Sequence, residues 1–138
     1  MKKILLDTNF LLVPLRYGIN LSLELEKFQP FQLFISAEAL LELEKLKPGE
    51  RKFALLLLDK LNPAVIFKSK KVINQLPYHE FSLAEAEISS AYCDRIILEL
   101  CTQYGFMPAS LDKDLIRKVK SHGGKSLTLH ANQIKEVG

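Results

Sequence analysis

The stretch Lys3-Ile4-Leu5-Leu6-Asp7-Thr8-Asn9 decides how the rest of the chain is read. A short, mainly apolar run ends abruptly in an acid, a hydroxyl and an amide. Such a run, bounded by polar turn formers, predicts a buried strand. Phe31 to Ile35, Ala64 to Phe67, Phe106 to Ala109 and Ser126 to His130 predict further strands. Pro108 sits awkwardly inside one of them, because proline cannot donate to a ladder. The last run is expected to be a sheet edge.

Between the strands lie helical segments. Asn20 to Phe28 is helical in tone. Ser36 is placed to cap a helix that runs to about Lys47, stopped by Pro48-Gly49. Glu50 to Leu61 is strongly apolar, and its stretch Phe53 to Leu58 reads as core or dimer seam. Further helices span about Ser90 to Tyr104, with Gly105 as a left-handed stop, and Asp112 to Ser121, closed by Gly123-Gly124. Lys68 to His79 reads as loop. Strands separated by helices require crossover connections, hence an α/β fold with a mainly parallel sheet covered on both faces.

The 138 residues suit one domain, 1–138, and at 48% hydrophobic and 25% charged the chain is neither disordered nor repetitive. The longest apolar run, Ala54 to Leu58, is far short of the ~20 residues of a membrane span. Asp7 and Asn9 interrupt the apolar start, which argues against a signal peptide and for a cytoplasmic protein. Cys93 and Cys101 lie ~12 Å apart on one predicted helix, beyond the ~7 Å reach of a disulfide, so they read as core thiols. The net charge of +3 is compatible with nucleic acid but ordinary. The histidines His79, His122 and His130 read as solvated.

In parallel sheets, sites form outside the carboxyl ends of the strands. There the sequence is acidic. Asp7 follows the first strand, and Asp112 and Asp114 follow Phe106 to Ala109. Asp94 lies near the start of the preceding helix, and Glu38, Glu42 and Glu44 lie on the helix after Ser36. Oxygen-rich clusters suit Mg²⁺ or Mn²⁺. Carboxylates crowded together repel without a cation. Each acid also has a plainer role: Asp112 as a helix N-cap, Asp94 as a partner of the helix dipole, the glutamates as a solvated face. On a helical wheel Asp94 borders the apolar arc, whereas Arg95 and Glu99 lie on the polar side. Glu42 borders its arc and Glu44 falls nearer the middle, so the wheel does not choose between them.

Four pieces, in order, resemble the PIN-domain family: Leu6-Asp7-Thr8-Asn9-Phe10-Leu11-Leu12, Leu41-Glu42-Leu43-Glu44-Lys45-Leu46, Tyr92-Cys93-Asp94, and Ala109-Ser110-Leu111-Asp112-Lys113-Asp114-Leu115. The Glu-Leu-Glu-Lys-Leu form, and Asp-Lys-Asp-Leu followed by Arg117, Lys118 and Lys120, most resemble the ribosomal-RNA-processing branch and its archaeal relatives. The resemblance implies a three-layer α/β/α sandwich and metal-dependent ribonuclease chemistry with Mg²⁺ or Mn²⁺. It implies Asp7, Glu42, Asp94 and Asp112 as catalytic, metal-holding acids, favouring Glu42 over Glu44. Thr8, Asn9, Ser110 and Asp114 would support them. Lys113, Arg117 and Lys118, or the Lys68 to Lys71 loop, would grip RNA, although a solvated surface explains them equally. The partners it implies are RNA and a ribosome-assembly or antitoxin protein, while the apolar stretch Phe53 to Leu58 allows a second copy in a homodimer.

Two departures stand out. Arg95 follows Asp94 where the family often has paired acids, and Ser110 replaces the usual threonine while keeping the hydroxyl. Arg95 opens a rival reading, a catalytically weak module that binds RNA or an assembly protein. A toxin ribonuclease checked by an antitoxin is another. A receiver-type phosphotransfer domain ranks low, because Asp7 stands alone after its strand.

Overall fold

The computed structural model describes residues 1–67, 83–85 and 93–138, with side chains for 1–67 and 95–138. Its sheet holds β1 (Lys2–Leu6), β2 (Phe31–Ser36), β3 (Ala64–Phe67), β4 (Leu83–Glu85), β5 (Met107–Ala109), β6 (Ser126–His130) and β7 (Gln133–Val137). The order is β4-β3-β2-β1-β5-β6-β7. Every pairing is parallel except that of β6 with β7. From β1 the chain steps outward through β2, β3 and β4, then returns to the other side of β1 for β5 and β6. The reversal falls between β1 and β2 on one side and β1 and β5 on the other, so β1 stands at the topological switch point.

The helices are α1 (Val13–Tyr17), α2 (Leu21–Leu25), α3 (Ala37–Glu42), α4 (Pro48–Leu61), α5 (Cys93–Tyr104) and α6 (Lys113–Ser121). Alternation along each strand divides the core into two layers. Ile4, Leu6, Leu33, Ile35, Val65 and Phe67 join Leu21, Leu40 and Leu58 from α2, α3 and α4. Leu5, Phe34 and Ile66 turn the other way, onto Ile96, Ile97 and Leu100 of α5 and Leu115 and Val119 of α6. The expected three-layer α/β/α sandwich is thus what forms. Leu5 is fully buried; full burial of such a side chain is worth about 2 kcal/mol.

Several boundaries differ from expectation. Ser36 caps α3 through its Oγ, which accepts from the Ala39 amide at 3.1 Å, but α3 ends at Glu42 and tightens into a 3-10 turn, Leu43–Lys45. Pro48 does not stop a helix; it opens α4, where its missing N–H costs nothing. Thr8–Leu12 is a 3-10 turn leading into α1, a segment whose apolar residues follow no clear period. Ala54 and Leu58 place α4 in the core, whereas Leu56 is 60% exposed. Lys68 to His79 lies outside the described residues.

Ser126–His130 is not the last strand. A two-residue turn at Ala131 and Asn132, with φ of 50° and 60°, folds β7 back onto it, with His130 opposite Gln133. Two consecutive positive φ values suit a tight hairpin. On β7 the Ile134 amide points outward and donates to Glu24 Oε1 on α2 at 2.9 Å. Pro108 fits because pairing with β6 begins at Ala109 opposite Leu127. The amide that β5 sends to β6 is that of Ser110, to Leu127 O at 3.0 Å. Proline therefore precedes the ladder with β6, while on the other side it sits opposite Leu5 in the ladder with β1.

Candidate functional site

β1 and β5 end side by side, and the Asp7 amide donates to Ala109 O at 3.0 Å. That bond delivers Asp7 and Ser110 to the same point above the sheet. Asp7 then begins a 3-10 turn: its Oδ1 accepts from the Thr8 amide at 2.8 Å. Its Oδ2 accepts from the fully buried Ser110 hydroxyl at 2.6 Å. The same Ser110 Oγ accepts from the Asp112 amide at 3.0 Å. One hydroxyl therefore fixes one carboxylate and the backbone of a second.

Asp112 caps α6, as the plainer reading of its sequence holds. Its Oδ1 accepts from the amides of Asp114 at 2.9 Å and Leu115 at 3.3 Å. Both bonds fall on Oδ1, so capping does not use Oδ2. Asn9 ties the loop down from the other side, its Oδ1 accepting from the Leu111 amide at 3.0 Å. Thr8 reaches α3, where its single hydroxyl proton serves either Glu42 Oε2 or Ala39 O, each at 3.3 Å.

A hollow of about 340 Å³ opens here, walled by Asp7, Thr8, Asn9 and Leu12 on one side and Glu42, Lys45 and Leu46 on the other, with Arg16 at the rim. Arg16 is tethered to Glu50 at 3.2 Å. Glu44 faces elsewhere and pairs with Arg51 at 3.2 Å. Asp114 also stands apart, holding Arg117 and Lys118 in exposed ion pairs. Asp94 belongs to α5, but its side chain lies outside the described residues.

Burial is the main influence on Asp7 and pushes its carboxyl pKa up. The Ser110 hydroxyl and the Thr8 amide pull it down, and the charges of Glu42 and Asp112 push it up again. Three acids from separate elements thus share one electrostatic neighbourhood. Among the described residues, no three His, Cys, Asp or Glu side chains form a group able to hold a metal by themselves. The donors at hand are all oxygens, a chemistry suited to Mg²⁺ or Mn²⁺. The set fits such an ion only with a contribution from beyond the described side chains. On the opposite face, burial pushes the Cys101 thiol up to about 12, with a smaller push from Asp7.

Arg16 and Lys45 were not anticipated in the sequence. Lys45 lies three residues past Glu42 on a continuing helical turn, a spacing that puts the two on one side. Arg16 has no such signal, because it depends on the irregular path from Asp7 to α1.

No family profile matches the sequence, and neither does any curated protein. Solved structures do match. The PIN domain endonuclease Utp24 superposes with a TM-score of 0.68 at 20% identity, covering 97% of this chain and 90% of that one. A domain of a functionally unknown protein from Methanocaldococcus jannaschii DSM 2661 superposes with a TM-score of 0.60 at 16% identity, covering 100% and 97%. The fold and its switch-point carboxylates define a parallel α/β protein with an oxygen-lined cleft. More narrowly, the fold is that of a PIN domain. Among the described residues, no helix is long and apolar enough to cross a membrane.

Proposed function

We propose that the chain is a divalent-metal-dependent endoribonuclease that hydrolyses phosphodiester bonds at the carboxylates above β1 and β5. One observation carries the reading. Asp7 sits at the switch point, largely desolvated, under the charges of Glu42 and Asp112. A carboxylate so placed is costly without a cation, which argues that one belongs there. Asp7, Glu42, Asp94 and Asp112 would hold Mg²⁺ or Mn²⁺. When bound, the ion supplies charge opposite the phosphate and makes water more acidic.

The chain's own groups do the rest. Ser110 sets the direction of Asp7 Oδ2 and, through the Asp112 amide, the start of α6. Thr8 couples the Asp7 turn to Glu42. Arg16 and Lys45 stand at the rim as cations for a phosphate. Similarity to a PIN domain endonuclease supports the nuclease reading. The forms of the Glu42 and Asp112 segments support ribosomal RNA as the substrate.

Asp7→Asn and Asp94→Asn should abolish Mn²⁺-dependent cleavage of single-stranded or structured RNA. Undiminished activity in either variant refutes the site. A second reading, RNA binding without cutting, draws on Arg95, which follows Asp94 where the family often has paired acids. Calorimetry with Mn²⁺ separates them: binding lost in Asp7→Asn supports the nuclease, and no binding by the wild-type chain supports the module.

A further inference from the structure

A second, larger cleft of about 550 Å³ lies beside the carboxylates, between α6, β6 and the end of α1. Leu111 and Ile116 line its floor, and Lys113, Arg117, Lys120 and His130 bring basic groups to it. Tyr17 forms one wall, although its side chain is 50% exposed. The two hollows adjoin through two links. Arg16 at the carboxylate rim is followed directly by Tyr17 in the cleft wall. Asn9 in the first hollow is hydrogen-bonded to the amide of Leu111 in the second.

We infer that this cleft is the track for single-stranded RNA approaching the carboxylates, with one base stacked on Tyr17 and the adjoining phosphates held by Lys113, Lys120 and Arg117. The inference rests on RNA being the substrate and deepens that reading. Charge and an exposed ring in one groove are what an unpaired strand needs: cations follow the backbone, and an aromatic face accepts any base. The fixed cation count matters too. Among the described residues, neither Lys113 nor Lys120 has a carboxylate partner, whereas Arg117 shares Asp114 with Lys118 in an exposed pair that a phosphate displaces at little cost. Lys118 is absent from the lining, so the strand runs past the other side of α6 from it.

The test is fluorescence anisotropy with a labelled twelve-nucleotide RNA of mixed sequence, in EDTA so that nothing is cut, at several salt concentrations. Tyr17→Ala should weaken binding about tenfold, as for loss of one stacked base, while leaving the salt slope unchanged. Lys120→Gln should lower the slope of log affinity against log salt by about 0.7, the share of one phosphate on a single strand. Lys60→Gln, on the far end of α4, should change neither. Wild-type affinity in both cleft variants overturns the proposal. So does an absence of wild-type binding, or a duplex bound more tightly than the strand. Mn²⁺-dependent cleavage is assayed separately, so binding without cleavage sinks the nuclease and leaves the track standing.

Discussion

Removing the Ser110 hydroxyl should destabilise the protein in a way that depends on pH. In Ser110→Ala, Asp7 Oδ2 loses a 2.6 Å bond and the Asp112 amide loses its acceptor. A hydrogen bond to a charged group is worth about 1.5–3 kcal/mol, and a partly solvated amide left without a partner costs about 1. Together they give an expected loss of about 2.5–4 kcal/mol at neutral pH. At about pH 3, below the ordinary value of 3.8 and so below the raised one of Asp7, it should shrink by about 1–2 kcal/mol, because the hydroxyl then faces a mostly neutral carboxyl. The sign follows from Asp7 itself. Its folded pKa lies above 3.8, so the folded state binds more protons in that window and wild-type stability falls as pH rises through it. The hydroxyl opposes that shift, so its loss makes the fall steeper. Urea unfolding of both proteins at the two pH values, in EDTA, measures the difference. Ser110→Thr keeps the hydroxyl and separates its effect from side-chain volume. An equal loss at both pH values, or a loss below about 0.5 kcal/mol at neutral pH, refutes this account of the site.

Asp7→Asn should melt higher than the wild type at neutral pH in EDTA, since it removes a desolvated charge beside two others, and should lose thermal protection by Mn²⁺. For the wild type that protection should be about 2.7 kcal/mol at one hundred times the dissociation constant, so melting curves with and without Mn²⁺ read both effects. Ala131→Gly should stabilise the hairpin by about 0.5–1 kcal/mol, because alanine at φ of 50° carries a steric cost that glycine avoids; urea titration checks it. In a Cys93→Ser background, Cys101 should resist a thiol reagent at pH 8, given a thiol pushed up to about 12, and react once urea unfolds the chain.

The parallel layers were legible because the strands carry their own signal. Ile4-Leu5-Leu6 and Phe34-Ile35 are bulky on both faces, as a strand covered on both sides must be. β7 was not legible. Gln133-Ile134-Lys135-Glu136-Val137 is mostly polar, as an outer strand with one buried residue can be, and Ala131-Asn132 lacks the glycine that usually announces such a turn. At the site, Asp7 and Asp112 could be placed because each directly follows a strand or opens a helix, whereas Ser110 was marked only by the family resemblance. Glu42 and Glu44 differ only in the angle at which α3 tightens after its sixth residue. That angle comes from packing against Thr8, over thirty positions away in sequence. Tyr17 and His130 line one cleft through long-range packing, which no local pattern encodes.

Glu24 bears on how copies of this chain can associate. Its carboxylate occupies the outward amide of Ile134, and that bond together with Lys27 holds its pKa below the ordinary value. An incoming strand that sought to extend the sheet past β7 would have to displace a charged acceptor already seated there. Any symmetric pair is thereby steered away from strand-to-strand extension at this position and towards contacts made by side chains, such as those around the exposed Leu56.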